Sequence, residues 1–187
     1  MGCPHTRTLP STQPETRKRP SGVNNTEDRV PEYSPIHKGK EYTDFLVCTV
    51  KPFIDATYHT MPDANSTAVM GASMGGIISF HLAWEYPHVF SMAGCLSPAF
   101  LVDDNEIVNR VNEAQIIPEI KLVILNGSLG LEAELQPAVT EMVDTMKSKG
   151  FKNLKYQIIH GAEHNEAAWA KQVEIPLLYF FGNTNLK

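Results

Sequence analysis

The sequence predicts an α/β fold, a mostly parallel sheet flanked by helices on both faces. Three observations carry that expectation. Short apolar, β-rich runs recur along the chain, separated by stretches of helical period about 10–15 residues long. The first run, Ser66-Thr67-Ala68-Val69-Met70, leads at once into a glycine-rich turn, Gly71-Ala72-Ser73-Met74-Gly75-Gly76. Such a turn is what a strand needs to hand over directly to a helix. Finally, 187 residues with 42% hydrophobic and 20% charged side chains suffice for one domain with a real core.

The elements follow in order. Residues 1–40 are crowded with Pro, Thr, Ser, Asn, Lys and Arg. So little apolar surface cannot offset the entropy of ordering, and the segment reads as a mostly disordered tail. Its start, Met1-Gly2-Cys3-Pro4-His5-Thr6, fits the N-myristoylation pattern, and Arg17-Lys18-Arg19 is a basic patch. A solvated tail explains both, so a membrane is not expected as a partner. The partial α/β domain occupies residues 41–187. Tyr42, Phe45, Leu46, Val50, Phe53, Ile54 and Tyr58 recur at helical spacing up to about Pro62. After the first strand and its turn, a helix runs to about Tyr86 and stops at Pro87. Phe90–Leu96 is the second strand and Lys121–Leu125 the third. A helix from Glu132 to Lys149 is closed by Gly150, Leu154–Ile159 is the fourth strand, and residues 165–180 form a last helix interrupted by Pro176.

Charge and cysteines bound the function. A net charge of −5 argues against nucleic acid as a partner, because phosphate binding needs clustered Lys and Arg. No apolar run approaches the roughly 20 residues that span a bilayer, and the first 40 residues lack a secretory core. Cys3, Cys48 and Cys95 show no CxxC spacing. They read as reduced thiols, which places the chain in the cytoplasm.

Gly71-Ala72-Ser73-Met74-Gly75 matches G-x-S-x-G, the strand-to-helix turn that presents a serine in α/β-hydrolases. Side chains two residues either side of the serine would collide, so glycine is expected at both positions. The turn lifts the Ser73 hydroxyl off the sheet and aims the Met74 backbone N–H at a developing oxyanion. Chance supplies the pattern in roughly one chain of this length in twenty, before the flanking strand and helix are considered. Ser79 and Ser97 lack this setting and read as structural.

The expected chain order is serine, acid, histidine. His160 and His164 both follow the fourth strand. His164, in the loop Gly161-Ala162-Glu163-His164-Asn165, is the better base, since a loop can reach back over the serine; His160 ends the strand. His5, His37, His59, His81 and His88 show no metal-ligand spacing, and no metal or organic cofactor is implied. The acid belongs after the third strand, but the loop Asn126–Leu131 holds no carboxylate. Glu132 is the candidate, followed by Glu134, although acids in a helix's first turn are also favoured by its dipole. Asp103 and Asp104 could substitute, unless they cap the next helix. A Ser–His dyad stays open.

Together these residues resemble the esterase family that includes enterochelin esterases, feruloyl esterase domains and S-formylglutathione hydrolases. The resemblance covers about residues 22–182. It runs through Asn25-Thr26-Glu27-Asp28-Arg29, Glu32-Tyr33-Ser34-Pro35, Val50-Lys51-Pro52-Phe53-Ile54-Asp55, Gly71–Gly76, Tyr86-Pro87-His88-Val89-Phe90, Ser97-Pro98 and His164-Asn165-Glu166-Ala167-Ala168-Trp169. It implies an α/β-hydrolase fold and hydrolysis of a small-molecule carboxylic ester, with Ser73 as nucleophile and His164 as base. Two departures stand out. Family members often carry an Asp near where Gly130 stands. They also carry several strands ahead of the Asn25–Pro35 segment, one of whose loops completes the oxyanion hole. The chain is thus expected to be such a domain without its first strands. The leading expectation is a serine esterase, with acyl transfer as a variant of the same chemistry. The competing one is a catalytically weak or inactive homologue that acts as a binding module.

Overall fold

The computed structural model describes residues 20–182. Among these residues four parallel strands form the sheet in the order of the chain: β1 (Ala68–Ala72), β2 (Met92–Leu96), β3 (Lys121–Asn126) and β4 (Leu154–Ile158). Ala68 pairs with Met92, Met92 with Lys121, and Leu122 with Leu154. Parallel neighbours need long crossovers. Helices α4 (Met74–Glu85), α5 (Val102–Glu113) and α6 (Leu131–Ser148) supply them. Preceding the sheet are α1 (Arg29–Tyr33), α2 (Gly39–Phe45) and α3 (Lys51–Thr57); following it are α7 (Glu166–Gln172) and α8 (Glu174–Phe181).

The period-two rule of strands sorts the core into two layers. Ala93, Cys95, Leu122 and Ile124 face a cluster built from α4, α5 and α6, including Ile77, Phe80, Val111, Val139 and Met142. Their alternates, Met92, Leu96, Val123 and Leu125, face Phe180, Trp169 and Ile175 from α7 and α8. Gly94 makes that second layer thin: Met70 and the Pro176 side chain of α8 come within 3.1–3.2 Å of where its Cβ would stand. Central strands buried on both faces read as continuous apolar runs, which is why β2 and β3 were legible. No helix among the described residues is long and apolar enough to cross a membrane.

Several elements differ from the sequence expectation. Helix α1 lies within the segment expected to be a tail, and Tyr33 and Ser34 are buried. Their burial comes from tertiary packing of α1 and α2 on α4, which a composition window does not register. The lipidation pattern at the N-terminus and the patch at residues 17–19 lie outside the described residues. The single helix expected over residues 42–58 is α2 and α3 joined by a π turn, Leu46–Val50, just ahead of Pro52, which has no N–H to offer the preceding turn. The last helix breaks at Val173 rather than at Pro176. Pro176 sits in the first turn of α8, where an N–H has no intrahelical partner to lose. Asp103 and Asp104 do not cap α5; both have left-handed φ, as does Asn105, and no side chain caps this helix. Nor are all three cysteines established as thiols. Cys95 is free and buried, whereas Cys48 is disulfide-bonded, and Cys3 lies outside the described residues. An odd, sparse set of cysteines does not exclude a bridge.

Candidate active site

The carboxyl ends of β1, β3 and β4 converge on Ser73, Glu132 and His164. Ser73 follows β1 with φ 56° and ψ −122°, a region that L-residues rarely occupy. The surroundings hold it there. Its N–H donates to Leu96 O at 2.9 Å, and its carbonyl accepts from Gly76 N at 2.9 Å and Ala99 N at 3.3 Å. Glycine is required at position 71, because a Cβ there would stand 2.4 Å from Gly75 O and 2.5 Å from Gly75 C. The expectation that both motif glycines are needed for space fails at Gly75, where a Cβ would meet nothing within 4 Å. The crowding is one-sided: the strand residue runs into the helix backbone. Met74 opens α4, so its N–H belongs to the turn in which helix donors have no intrahelical acceptor.

His164 lies 91 positions from Ser73 in the chain, yet its Nε2 is 3.0 Å from Ser73 Oγ. Its Nδ1 is 3.1 Å from Glu132 Oε1. The imidazole is nearly enclosed, with 13% of its side chain exposed, and Glu132 is fully buried. Asn165, next in the chain, caps α7 by accepting the Ala168 N–H at 3.0 Å, which fixes where the His164 loop ends.

Glu132 reaches the histidine from a helix rather than a loop, and three residues make that reach work. Gly130, at φ 60°, turns the chain sharply into α6. Gly127 lets the carboxylate approach the backbone: its N–H donates to Glu132 Oε2 at 2.8 Å, where a Cβ would lie 2.6 Å from Glu132 Cγ. Asn126, buried at the end of β3, donates from Nδ2 to Glu132 O and to Gln136 Oε1, each at 2.9 Å. Gln136 in turn donates to Tyr156 OH at 2.6 Å. The acid loop and the histidine loop are also tied together, since Ala162 O accepts the N–H groups of Ser128 and Leu129, each at 3.1 Å.

The other carboxylates and the other histidine of this region lie elsewhere. Glu134 and Asp104 are exposed. Asp103 accepts a hydrogen bond from Ser34 Oγ and sits 3.6 Å from His37 Nε2. His160 is exposed. Sequence reasoning missed the supports: Asn126, Gly127 and the pair Ser97–Trp169. Glycines flanking an acid were the one signal that could have drawn attention to position 127.

Comparisons with known proteins bear on the family and the fold. The family described as "Putative esterase" matches residues 14–175. The chain is 22% identical over 178 residues to protein YbbA of Bacillus subtilis (strain 168), described as uncharacterized, covering 83% of this chain and 70% of that one. Enterochelin esterase from Shigella flexneri superposes with a TM-score of 0.69 at 13% identity, over 83% of this chain and 40% of its own. A ferulic acid esterase superposes at 0.66 with 18% identity, over 74% of this chain and 60% of its own. The chain thus spans less than two thirds of the length of these solved structures. A four-stranded parallel sheet with helices on both faces, the same fold in those esterases, and a family match over most of the sequence lead to one assignment: the chain belongs to the "Putative esterase" family and has the α/β-hydrolase fold.

Proposed function

We propose that this chain is a serine carboxylic-ester hydrolase acting on a small-molecule ester. Ser73 Oγ attacks the ester carbonyl while His164 Nε2 takes its proton. Glu132 holds the Nδ1–H and offsets the charge of the imidazolium that forms. The oxyanion faces the Met74 N–H. As the intermediate collapses, His164 returns the proton to the departing alcohol and leaves an acyl group on Ser73. Water then attacks that acyl group, with His164 again the base, and the acid is released. The observation that carries this reading is the unbroken line Glu132–His164–Ser73, with spacings of 3.1 and 3.0 Å between groups far apart in sequence. Its test is hydrolysis of a short p-nitrophenyl ester beside Ser73→Ala. The reading requires that the substitution abolish turnover and leave the circular dichroism spectrum unchanged. Turnover that survives it would remove Ser73 as nucleophile.

One observation favours the second reading, a weak or inactive homologue that serves as a binding module. Strand β1 pairs with β2 on one side only among the described residues, and Met70 on it is exposed. The second oxyanion donor of G-x-S-x-G enzymes comes from a loop ahead of this strand, and losing such a donor costs about 10²–10³ in rate. Labelling by a fluorophosphonate separates the readings, because it needs an activated serine but no substrate fit.

A further inference from the structure

The steps of ester hydrolysis give no task to Trp169, although its ring lies against the histidine. The indole stands nearly perpendicular to the His164 imidazole, with centroids 4.9 Å apart and planes at 86°. Its Nε1–H donates to Ser97 Oγ at 2.9 Å. Ser97 is a fixed point. It is fully buried, it leaves β2 with φ 44°, and its N–H donates to Leu125 O of the neighbouring strand at 2.7 Å. We propose that Trp169, anchored through its indole N–H to Ser97, is a positioning residue that holds the imidazole of His164 between Glu132 and Ser73.

What the indole restrains is a side-chain torsion. The last side-chain torsion of a histidine is broad rather than sharply staggered. Hydrogen bonds at the two ring nitrogens run to side chains that can themselves swing. A ring packed edge-to-face against the imidazole narrows that torsion, and a ring tethered to the sheet narrows it most. The tether also explains why tryptophan suits the position: phenylalanine would supply the wall but not the bond to Ser97. Ser97 thus gains a purpose that its place outside any catalytic motif did not suggest. Trp169 also follows His164 by one short helical turn beyond the capped start of α7, so base and wall are set by the same cap.

The inference rests on His164 being the base, and two measurements keep the two claims apart. In steady-state hydrolysis of a p-nitrophenyl ester, Trp169→Ala should lower kcat by roughly tenfold or more, with KM within about twofold. Trp169→Phe and Ser97→Ala each keep a ring but lose the bond, and both should fall between the parent and Trp169→Ala. An unchanged kcat, or a change confined to KM, overturns the proposal, the latter by making the indole a wall of the substrate site. The second measurement needs no turnover. The chain has two tryptophans, so Trp84→Phe leaves Trp169 as the reporter. At one fixed pH its emission should shift in His164→Ala, which removes the neighbouring ring, and shift part of the way in Ser97→Ala, which frees the indole. A parent without esterase activity would sink the hydrolase reading, yet the emission would still report whether the indole is held against the imidazole. An emission that His164→Ala leaves unchanged overturns the proposal on its own, even if the other variants fail to fold.

Discussion

Replacing Gly127 by alanine should damage both stability and turnover, and the structure sets the scale. The added methyl would stand 2.5 Å from Ala162 O, 2.6 Å from Glu132 Cγ and 2.9 Å from Glu132 Cδ. The carbonyl cannot retreat freely, because it accepts two N–H groups from Ser128 and Leu129. The glutamate can move, but only by giving up the Gly127 N–H at 2.8 Å or the His164 ring at 3.1 Å. Overpacking costs about 1–3 kcal/mol, and a hydrogen bond to a charged group contributes about 1.5–3 kcal/mol. The two costs overlap, since relieving one incurs the other, so a loss of at least ~2 kcal/mol is expected in urea unfolding followed by circular dichroism. In hydrolysis, displacing the acid should lower kcat by between about 10²-fold, the cost of a 1 Å misplacement, and 10⁴-fold, the cost of a histidine held in the wrong tautomer. A Gly127→Ala protein with parental stability and turnover would refute the claim that this glycine seats the acid. A destabilised protein with full turnover would move the strain away from Glu132.

The two motif glycines should behave unequally. Gly71→Ala drives a methyl into the Gly75 backbone and should cost stability at the upper end of the roughly 1–3 kcal/mol of overpacking. Gly75→Ala meets open space and should be neutral or gain up to about 1 kcal/mol of helix propensity; equal losses in denaturant unfolding would contradict the one-sided crowding. Glu132→Gln should lower kcat, though less than His164→Ala, while Glu134→Gln and Asp103→Asn leave it near the parent value; a loss at Asp103 alone would move the acid to the loop after β2. His81, buried on α4, has its pKa lowered from 6.5 to about 4 by burial and by the nearby Arg110 charge. Unfolded imidazole takes up a proton below about 6.5, the folded one only near 4. Between those values the unfolded state binds more protons, so stability falls as pH drops through that window, by roughly 3 kcal/mol in all. Stability of His81→Leu measured from pH 7 to 4 should lack that component, and an unchanged slope would show that other groups carry it.

How far the sequence reads ahead of the structure depends on the range of the contacts that decide each feature. Strands β2 and β3 were legible because burial on both faces leaves an apolar run that needs no partner to be seen. The Ser73 turn was legible because its constraint is local: position 71 must clear position 75. The His164 loop followed from chain order. Glu132 was visible only as one of several carboxylates, because its reach to His164 depends on the backbone turn at Gly130 and on the missing side chain at Gly127. Trp169 and Ser97 lie 72 positions apart, and nothing in either segment announces the other. The segment around Tyr33 failed for the same reason, since its burial is conferred by α4 from across the chain.

The double acceptance at Ala162 divides the site into two bodies. Glu132 and His164 share one hydrogen-bonded unit, its loops 33 positions apart and stapled by backbone and by the Gly161 N–H to Ser128 Oγ. The serine belongs to a separate unit, β1 with α4, and joins the first across 91 positions of chain. Closing the longer span costs more chain entropy, by about 1 kcal/mol, and contacts of large sequence separation are slow to form. Ser73 is therefore expected to meet His164 after the Glu132–His164 unit has assembled, and the proposed hydrolysis would be a late signal in refolding. Recovery of far-ultraviolet dichroism should precede recovery of turnover, so that turnover would report a completed sheet.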